Sequence, residues 1–525
     1  MKVFNHISEL KNRSAVLAIA IAAGAMAATS AVHAQTLRTN INADPAMVDP
    51  ITYSELIAGD VIGNVYEGFT AINEAGDVIP ALAESWDAHD DNLGFTFHLR
   101  PGVTTHLGNE FTADDVKYTF EALLNPDNQG GLNARYLSTI AGAQAVTDGE
   151  TTDLEGVTVV DDHTVEVRLT EPDVLFPIYP FYFMDDAAIE TAGDEWYLET
   201  SAGTGPFVFD SWDRGQRVVL TAHDDYWGGA PGVDGVEFLI VPSGDTAVSM
   251  FDAGELDVVY ADNPSIRRIL QTPELEEQSI QVPAAQIRYL GMNQNLYEPF
   301  QDPRVREAIC IAFDRDAMIQ GLYEGAAFPL AGQVTPGVAG FNASLEPMPY
   351  DPERAQALLA EAGYPGGEGL PPINITSTEP NRNDILYLAS QLQQVLGMPV
   401  EVEVVERGSH IRNMNAGEVA FFPWGWSAGY PDGLYFLSQV WYGPSPYNRS
   451  RWQNDDFDAL IDQARATADN DARYALYNQA EEILIGEYGT CPTTVRMQLA
   501  LVAPNVDGVR LTPFRFLPFN SVSIN

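Results

Sequence analysis

Segments with the two-residue period of a half-buried strand and segments with the 3.6-residue period of a helix alternate along almost the whole chain. That alternation restricts the fold to mixed α/β lobes. Phe95-Thr96-Phe97-His98-Leu99 and Thr164-Val165-Glu166-Val167-Arg168-Leu169 alternate in the manner of strands. Thr112-Ala113-Asp114-Asp115 reads as an N-cap with an acidic first turn, opening a helix whose apolar surface includes Tyr118, Phe120, Ala122 and Leu123. The same reasoning predicts helices over 303–313, 352–362, 385–396, 455–466 and 471–485. Glycine and proline clusters at 203–206, 228–232, 365–367 and 369–372 mark turns and crossings between lobes, not a disordered linker. No fixed-period repeat is present.

The N-terminus carries Lys2, Lys11 and Arg13, an apolar run from Ala15 to Ala28, and small residues around Val32-His33-Ala34. This is the pattern of an export signal cleaved near Ala34, and the run is too short for a stable membrane span. No cysteine stands near the cleavage point to accept a lipid. About 490 residues then remain, more than one core usually serves, so two or three lobes are expected.

The chain holds 74 acidic against 27 basic residues, for a net charge of −47. Nucleic-acid binding is excluded at that sign. The signal segment sets three basic residues against Glu9, so its removal makes the chain two units more negative and leaves Lys117 as the sole lysine. Self-repulsion at this charge favours a salty exterior, where the Debye length falls to about 3 Å at molar salt. Two cysteines, Cys310 and Cys491, face an oxidising compartment after export; a bridge between them is open, and a buried free thiol at Cys310 is the more common outcome for its apolar helical context.

Catalytic motifs fail on inspection. Gly425-Trp426-Ser427-Ala428-Gly429 fits a nucleophile elbow formally, but Pro431 interrupts the helix that should follow, and the last histidine, His410, precedes the serine. The histidines lack metal-ligand spacing, and Gly203-Thr204-Gly205-Pro206 lacks the lysine of a phosphate loop. No cofactor, metal or catalytic residue is therefore expected.

A series of blocks resembles the large solute-binding proteins that serve peptide, nickel and opine ABC importers. They are Val65-Tyr66-Glu67-Gly68-Phe69, Pro80-Ala81-Leu82-Ala83-Glu84-Ser85-Trp86, Phe95 to Gly102 and Phe111 to Val116, followed by Gly203 to Phe207, Asp225-Tyr226-Trp227-Gly228, Ala253 to Asp257, and Asp302 to Ile309 with Asp314-Arg315. Taken singly most are structural, Arg306 and Asp314 reading as an ion pair. The resemblance implies a periplasmic-binding-protein type II (Venus-flytrap) α/β fold with a third lobe. It divides the chain into lobe I at 35–66, 203–291 and 493–525, lobe II at 67–202 and lobe III at 292–492. It implies a monomeric periplasmic receptor that closes lobes I and III on a peptide or similar small solute and delivers it to a membrane permease driven by separate ATPase subunits. An opine or oligosaccharide ligand, or a non-transporting chaperone-like role, are the alternatives.

In peptide-binding relatives a Trp-x-x-Asp-Tyr segment pairs its carboxylate with the peptide's ammonium; here that position is Gly429. Asp432 or Glu55 would have to replace the charge, because a buried ammonium without a partner costs several kcal/mol. Trp424 and Trp426, flanking Gly425, share one face of a strand and suit sugar faces, side chains or cations. Tyr53, Glu55 and Leu56 resemble the segment that meets the ligand's backbone, and Arg382 and Arg496 resemble positions that hold a carboxylate. Arg135 and Tyr136 are further candidates from lobe II.

Overall fold

The computed structural model describes residues 35–525 apart from 54, 74–75, 90–92, 129–132 and 189–195; the export segment lies outside the described residues. Four sheets of four or five strands organise the described residues. The first interleaves distant sequence: Thr36–Ile41 runs parallel to Gly235–Ile240, which pairs antiparallel with Arg217–Ala222 and, through it, Phe207–Asp213. The second is an antiparallel sheet of two hairpins in the order Ala83–Ala88, Gly94–Leu99, Thr164–Arg168, Val157–Asp161. The third has five strands in the order Val400–Val405, Ile373–Thr378, Phe421–Ser427, Gln286–Met292, Cys491–Pro492. In the fourth, the long strand Thr494–Val502 follows Cys491–Pro492 and pairs with Val258–Tyr260, Ser279–Pro283 and Ala327–Pro329, so the end of the chain returns beside strands of which the first two precede the third sheet.

The local signals explain the elements. The helix Ala113–Leu124 is closed by a capping box in which the Thr112 N–H donates to Asp115 Oδ2 at 2.8 Å, and it buries Val116, Phe120, Leu123 and Leu124. Phe120 joins an aromatic core in which Phe69 stacks on Phe97 at 3.8 Å. Pro303–Ile311 starts with Pro at its first position and the Asp302 carboxylate on the Arg304 N–H, and buries Val305, Ala308, Ile309 and Cys310. Gly205 permits a crossing: a Cβ there would lie 2.7 Å from the Val65 carbonyl carbon and oxygen. No described helix is long and apolar enough to cross a membrane.

Two expectations are corrected. Cys310 is not a free thiol but is bonded to Cys491, with Cα atoms 5.3 Å apart, because the helix Pro303–Ile311 packs beside the edge strand Cys491–Pro492. Arg306 and Asp314 do not pair. Arg306 donates to the carbonyls of Phe300, Gln301, Glu487 and Tyr488, while Asp314 caps the helix Arg315–Leu322 through the Ala317 N–H.

Candidate ligand-binding junction

Aromatic side chains from distant parts of the chain meet at one place. Tyr136, on a short 3-10 turn, stacks on Tyr179 at 4.7 Å, and both rings contact Tyr430, at 6.0 and 5.0 Å. Tyr430 meets Tyr435 edge-on at 4.9 Å. Tyr53 joins from the first region: its hydroxyl accepts from Asn133 Nδ2 at 3.2 Å, and its ring lies 5.9 Å from Tyr182. Burial raises the phenols, Tyr435 to about 12, so all remain neutral hydrogen-bonding groups at ordinary pH.

The strand Phe421–Ser427 delivers the two tryptophans. Its register against Gln286–Met292 sets Trp424 opposite Tyr289 and Trp426 opposite Ile287, so both indoles share one face, partly buried. Trp426 lies 5.0 Å from the Tyr447 ring. Beside them is a residue that local sequence did not flag. Arg449 is 4% exposed, its Cζ 5.1 Å from the Trp424 ring and 5.5 Å from the Trp426 ring. Its Nε donates to Asn415 Oδ1 at 2.9 Å, but its Nη1 is enclosed without a hydrogen bond, and burial pushes its pKa down. His410, edge-on to Trp424 at 5.6 Å, is fully buried with neither ring nitrogen hydrogen-bonded; burial, then the Arg449 charge, lowers it to about 4. Aromatic rings walling enclosed polar groups that lack protein partners form a setting for a polar solute.

Residues 77–448 match the family described as "Bacterial extracellular solute-binding proteins, family 5 Middle". The chain belongs to this family. Among curated relatives of this family 5 solute-binding protein, heme-binding protein A of Haemophilus influenzae is 30% identical over 86% of this chain and 84% of its own. Di/tripeptide-binding protein 2 of Pseudomonas aeruginosa is 29% identical over 95% and 97%. The dipeptide-binding protein of Escherichia coli is 29% identical over 85% and 86%. Among solved structures, the unliganded open form of the periplasmic murein tripeptide-binding protein MppA matches with TM-score 0.83 at 26% identity, covering 94% of this chain and 98% of that one. The fold is the multi-lobed type II solute-binding fold.

The structure sorts the predicted residues of this solute-binding protein. Tyr53, Tyr136, Trp426, Gly425 and Gly429 come together at or beside the junction. A Cβ on Gly429 would lie 2.3 Å from the Tyr136 hydroxyl and 3.1 Å from Arg135 Nη2. The space a side chain at 429 would take is thus filled by Tyr136, Arg135 and Tyr435.

Asp432 is not available as a substitute carboxylate. It is 1% exposed, accepts the Leu434 N–H at 2.9 Å and pairs with Arg473 at 3.5 Å. Glu55 is turned onto its own loop, accepting the Ala46 N–H, and Leu56 is the first residue of the helix Leu56–Val65. Arg382 is exposed and held bidentately by Glu379, at 2.8 and 2.9 Å.

Arg496 is half-buried, its pKa lowered by burial and by the charge of Arg288. Its neighbours form a second polar cluster missed by sequence reasoning. There Arg288 Nη2 donates to Asp384 Oδ2 at 2.5 Å, and the Tyr323 hydroxyl donates to the same oxygen at 2.9 Å. Ser427, the nominal elbow serine, ends its strand accepting from Gln286 Nε2 at 2.9 Å; the next helix begins only at Leu434.

A carboxylate group of Asp115, Asp185 and Asp186 also gathers ligand atoms within 4.8 Å. Asp185 already accepts from Thr105 Oγ1 at 2.6 Å and Asn109 Nδ2 at 2.9 Å, and Asp115 from the backbone of Thr112 and Asp186. These bonds account for the group structurally.

Proposed function

We propose that this chain is the extracytoplasmic substrate-binding component of an ABC importer. It takes a peptide or peptide-like solute where Tyr53, Tyr136 and Trp426 meet and delivers it to a membrane permease whose ATPase subunits are separate. The reading is carried by the family match over 77–448 together with near full-length similarity to relatives named as di/tripeptide- and dipeptide-binding proteins. Those family members are periplasmic or extracytoplasmic binding proteins, which accords with an export signal cleaved near Ala34 and with a non-catalytic role. The lobe division at 35–66, 67–202, 203–291, 292–492 and 493–525 is supported by the first sheet, which unites the strand Thr36–Ile41 with strands from 207 to 240.

Two structures of the murein tripeptide-binding protein match with different scores. The form described as unliganded and open gives a TM-score of 0.83, the other 0.71. That difference supports an open resting state that closes on its solute, so binding and closure form one equilibrium.

The test is a thermal-shift screen of di- and tripeptides, opines and oligosaccharides on the mature protein. A true ligand at a hundredfold excess over Kd stabilises by about 2.7 kcal/mol. Small-angle scattering with that ligand shows a smaller radius of gyration. No melting shift with any of these classes overturns the reading. Trp426→Ala weakens binding at least tenfold while the unliganded melting temperature changes little; unchanged affinity places the pocket elsewhere.

A further inference from the structure

Cations are scarce in this protein, with 27 basic against 74 acidic residues, so a guanidinium left without a carboxylate is informative. Most arginines on the surface are paired, as Arg217 is with Asp213 and Glu237 and Arg268 with Asp252. Arg407, exposed over Trp424, has no ion pair among the described residues, and two more arginines at the junction also have none. Arg135 is exposed; its Nη2 donates to the Tyr136 hydroxyl at 2.7 Å and its Cζ lies 4.7 Å from that ring, with no ion pair among the described residues. Arg449 is nine-tenths buried between Trp424 and Trp426, likewise without an ion pair, and one of its terminal nitrogens is enclosed with no acceptor.

A line of side-chain contacts joins these two arginines. Arg135, Tyr136 and Tyr435 crowd the side-chain position of Gly429, and Trp426, three residues earlier near the end of the strand Phe421–Ser427, lies 5.0 Å from Tyr447 and against Arg449. The nearby carboxylates are occupied. Asp432 pairs with Arg473, and Asp173 accepts the Tyr179 hydroxyl at 2.7 Å and the Leu175 N–H at 3.1 Å. The polar groups presented toward Gly429 are the Arg135 guanidinium and the Tyr136 hydroxyl, beside the Tyr435 ring.

Resting on the solute-binding reading, we propose that the ligand is an anion. It carries a carboxylate at each end of this line and no free ammonium at Gly429, as an N-blocked or side-chain-linked acidic peptide does. Arg135 and the Tyr136 hydroxyl take one carboxylate beside Gly429, Arg449 takes the other, and Trp426 packs on the chain between them. The planar guanidinium fork suits a carboxylate bidentately, and the ligand supplies the counter-charge that the protein lacks at both arginines.

The experiment is calorimetric titration of the mature protein with N-acetyl-Glu-Glu, Ala-Ala and Lys-Lys at fixed salt. N-acetyl-Glu-Glu binds at least tenfold more tightly than the other two. Arg135→Gln weakens it tenfold or more, whereas Arg217→Gln, which removes the same charge from a surface ion pair, does not. Arg449→Gln also weakens it, and Arg449→Lys, which keeps charge but not the fork, restores only part, both judged on protein whose melting temperature is retained. Tighter binding of Ala-Ala or Lys-Lys, or an unchanged affinity in Arg135→Gln, overturns the anionic assignment while leaving solute binding intact. Failure of all three dipeptides and of the wider solute screen overturns both.

Discussion

Removing the bridge between Cys310 and Cys491 is expected to destabilise the region around the five-stranded sheet substantially. The two residues are separated by 181 positions, and both are fully buried where the helix Pro303–Ile311 meets the edge of the five-stranded sheet. In the chain-entropy account, freeing a loop of that length returns ~5 kcal/mol of entropy to the unfolded chain at 25 °C. For a body of ~200 residues this corresponds to a fall of about 10 °C or more in melting temperature. The double variant Cys310→Ala/Cys491→Ala keeps the site apolar and so isolates the loss of the link. Unfolding is followed by tryptophan fluorescence, to which Trp424, Trp426, Trp441 and Trp452 of this region contribute, for the oxidised protein, the protein treated with a strong reductant, and the double variant. Reduced protein and variant melt together, well below the oxidised form. Thiol titration of unreduced, denatured protein finds no free thiol. Two free thiols in that titration, or coincident melting of all three samples, would refute the reasoning.

Glu481 is 1% exposed and accepts the N–H groups of Gln333 and Val334; burial raises it to about 7. Because the folded value lies above the unfolded one, its contribution is full below about pH 4.5 and is lost as pH rises through 7, a change of about 3 kcal/mol. Glu481→Gln, which retains the accepting oxygen, flattens the stability profile over that window and is more stable than the parent at pH 8; an unchanged profile in urea titrations rejects the assignment. Asp432→Asn leaves Arg473 buried without its counter-ion and lowers stability by about 3 kcal/mol. Ligand affinity of the folded fraction stays the same, and a selective loss of affinity would return Asp432 to the binding surface. Gly429→Ala overpacks against the Tyr136 hydroxyl and costs about 1–3 kcal/mol by thermal melting; no loss would mean that the ring yields freely. The melting temperature rises from dilute buffer to molar salt as the net charge of −47 is screened, and a flat response removes the argument for salt adaptation.

The elements were readable because their causes are local. The N-cap at Thr112 and the proline at position 303 act within one helical turn, and the helix expected over 455–466 is found at Asp455–Arg465. Strand alternation likewise placed Trp424 and Trp426 on one face before any partner strand was known. The helix expected to begin at Ile385 starts earlier, at Arg382, because a 3-10 turn over Glu379–Asn381 leads directly into it. An aromatic run such as Tyr179-Pro180-Phe181-Tyr182 carried a signal for the junction that composition alone left unread.

Family and mixed α/β architecture were thus legible in the sequence itself, since each of the motifs that carries them is local. Which distant groups face each other was decided only by the tertiary structure. Cys310 meets Cys491, Asp432 meets Arg473 rather than a solute, Arg135 reaches Gly429, and Arg449 slides between two tryptophans. A charge's role depends on what neutralises it and how far water is excluded. Solvent-accessible arginines such as Arg217 and Arg465 take a carboxylate three or four positions away in sequence, whereas the buried Arg473 and Arg288 take partners that only packing brings near.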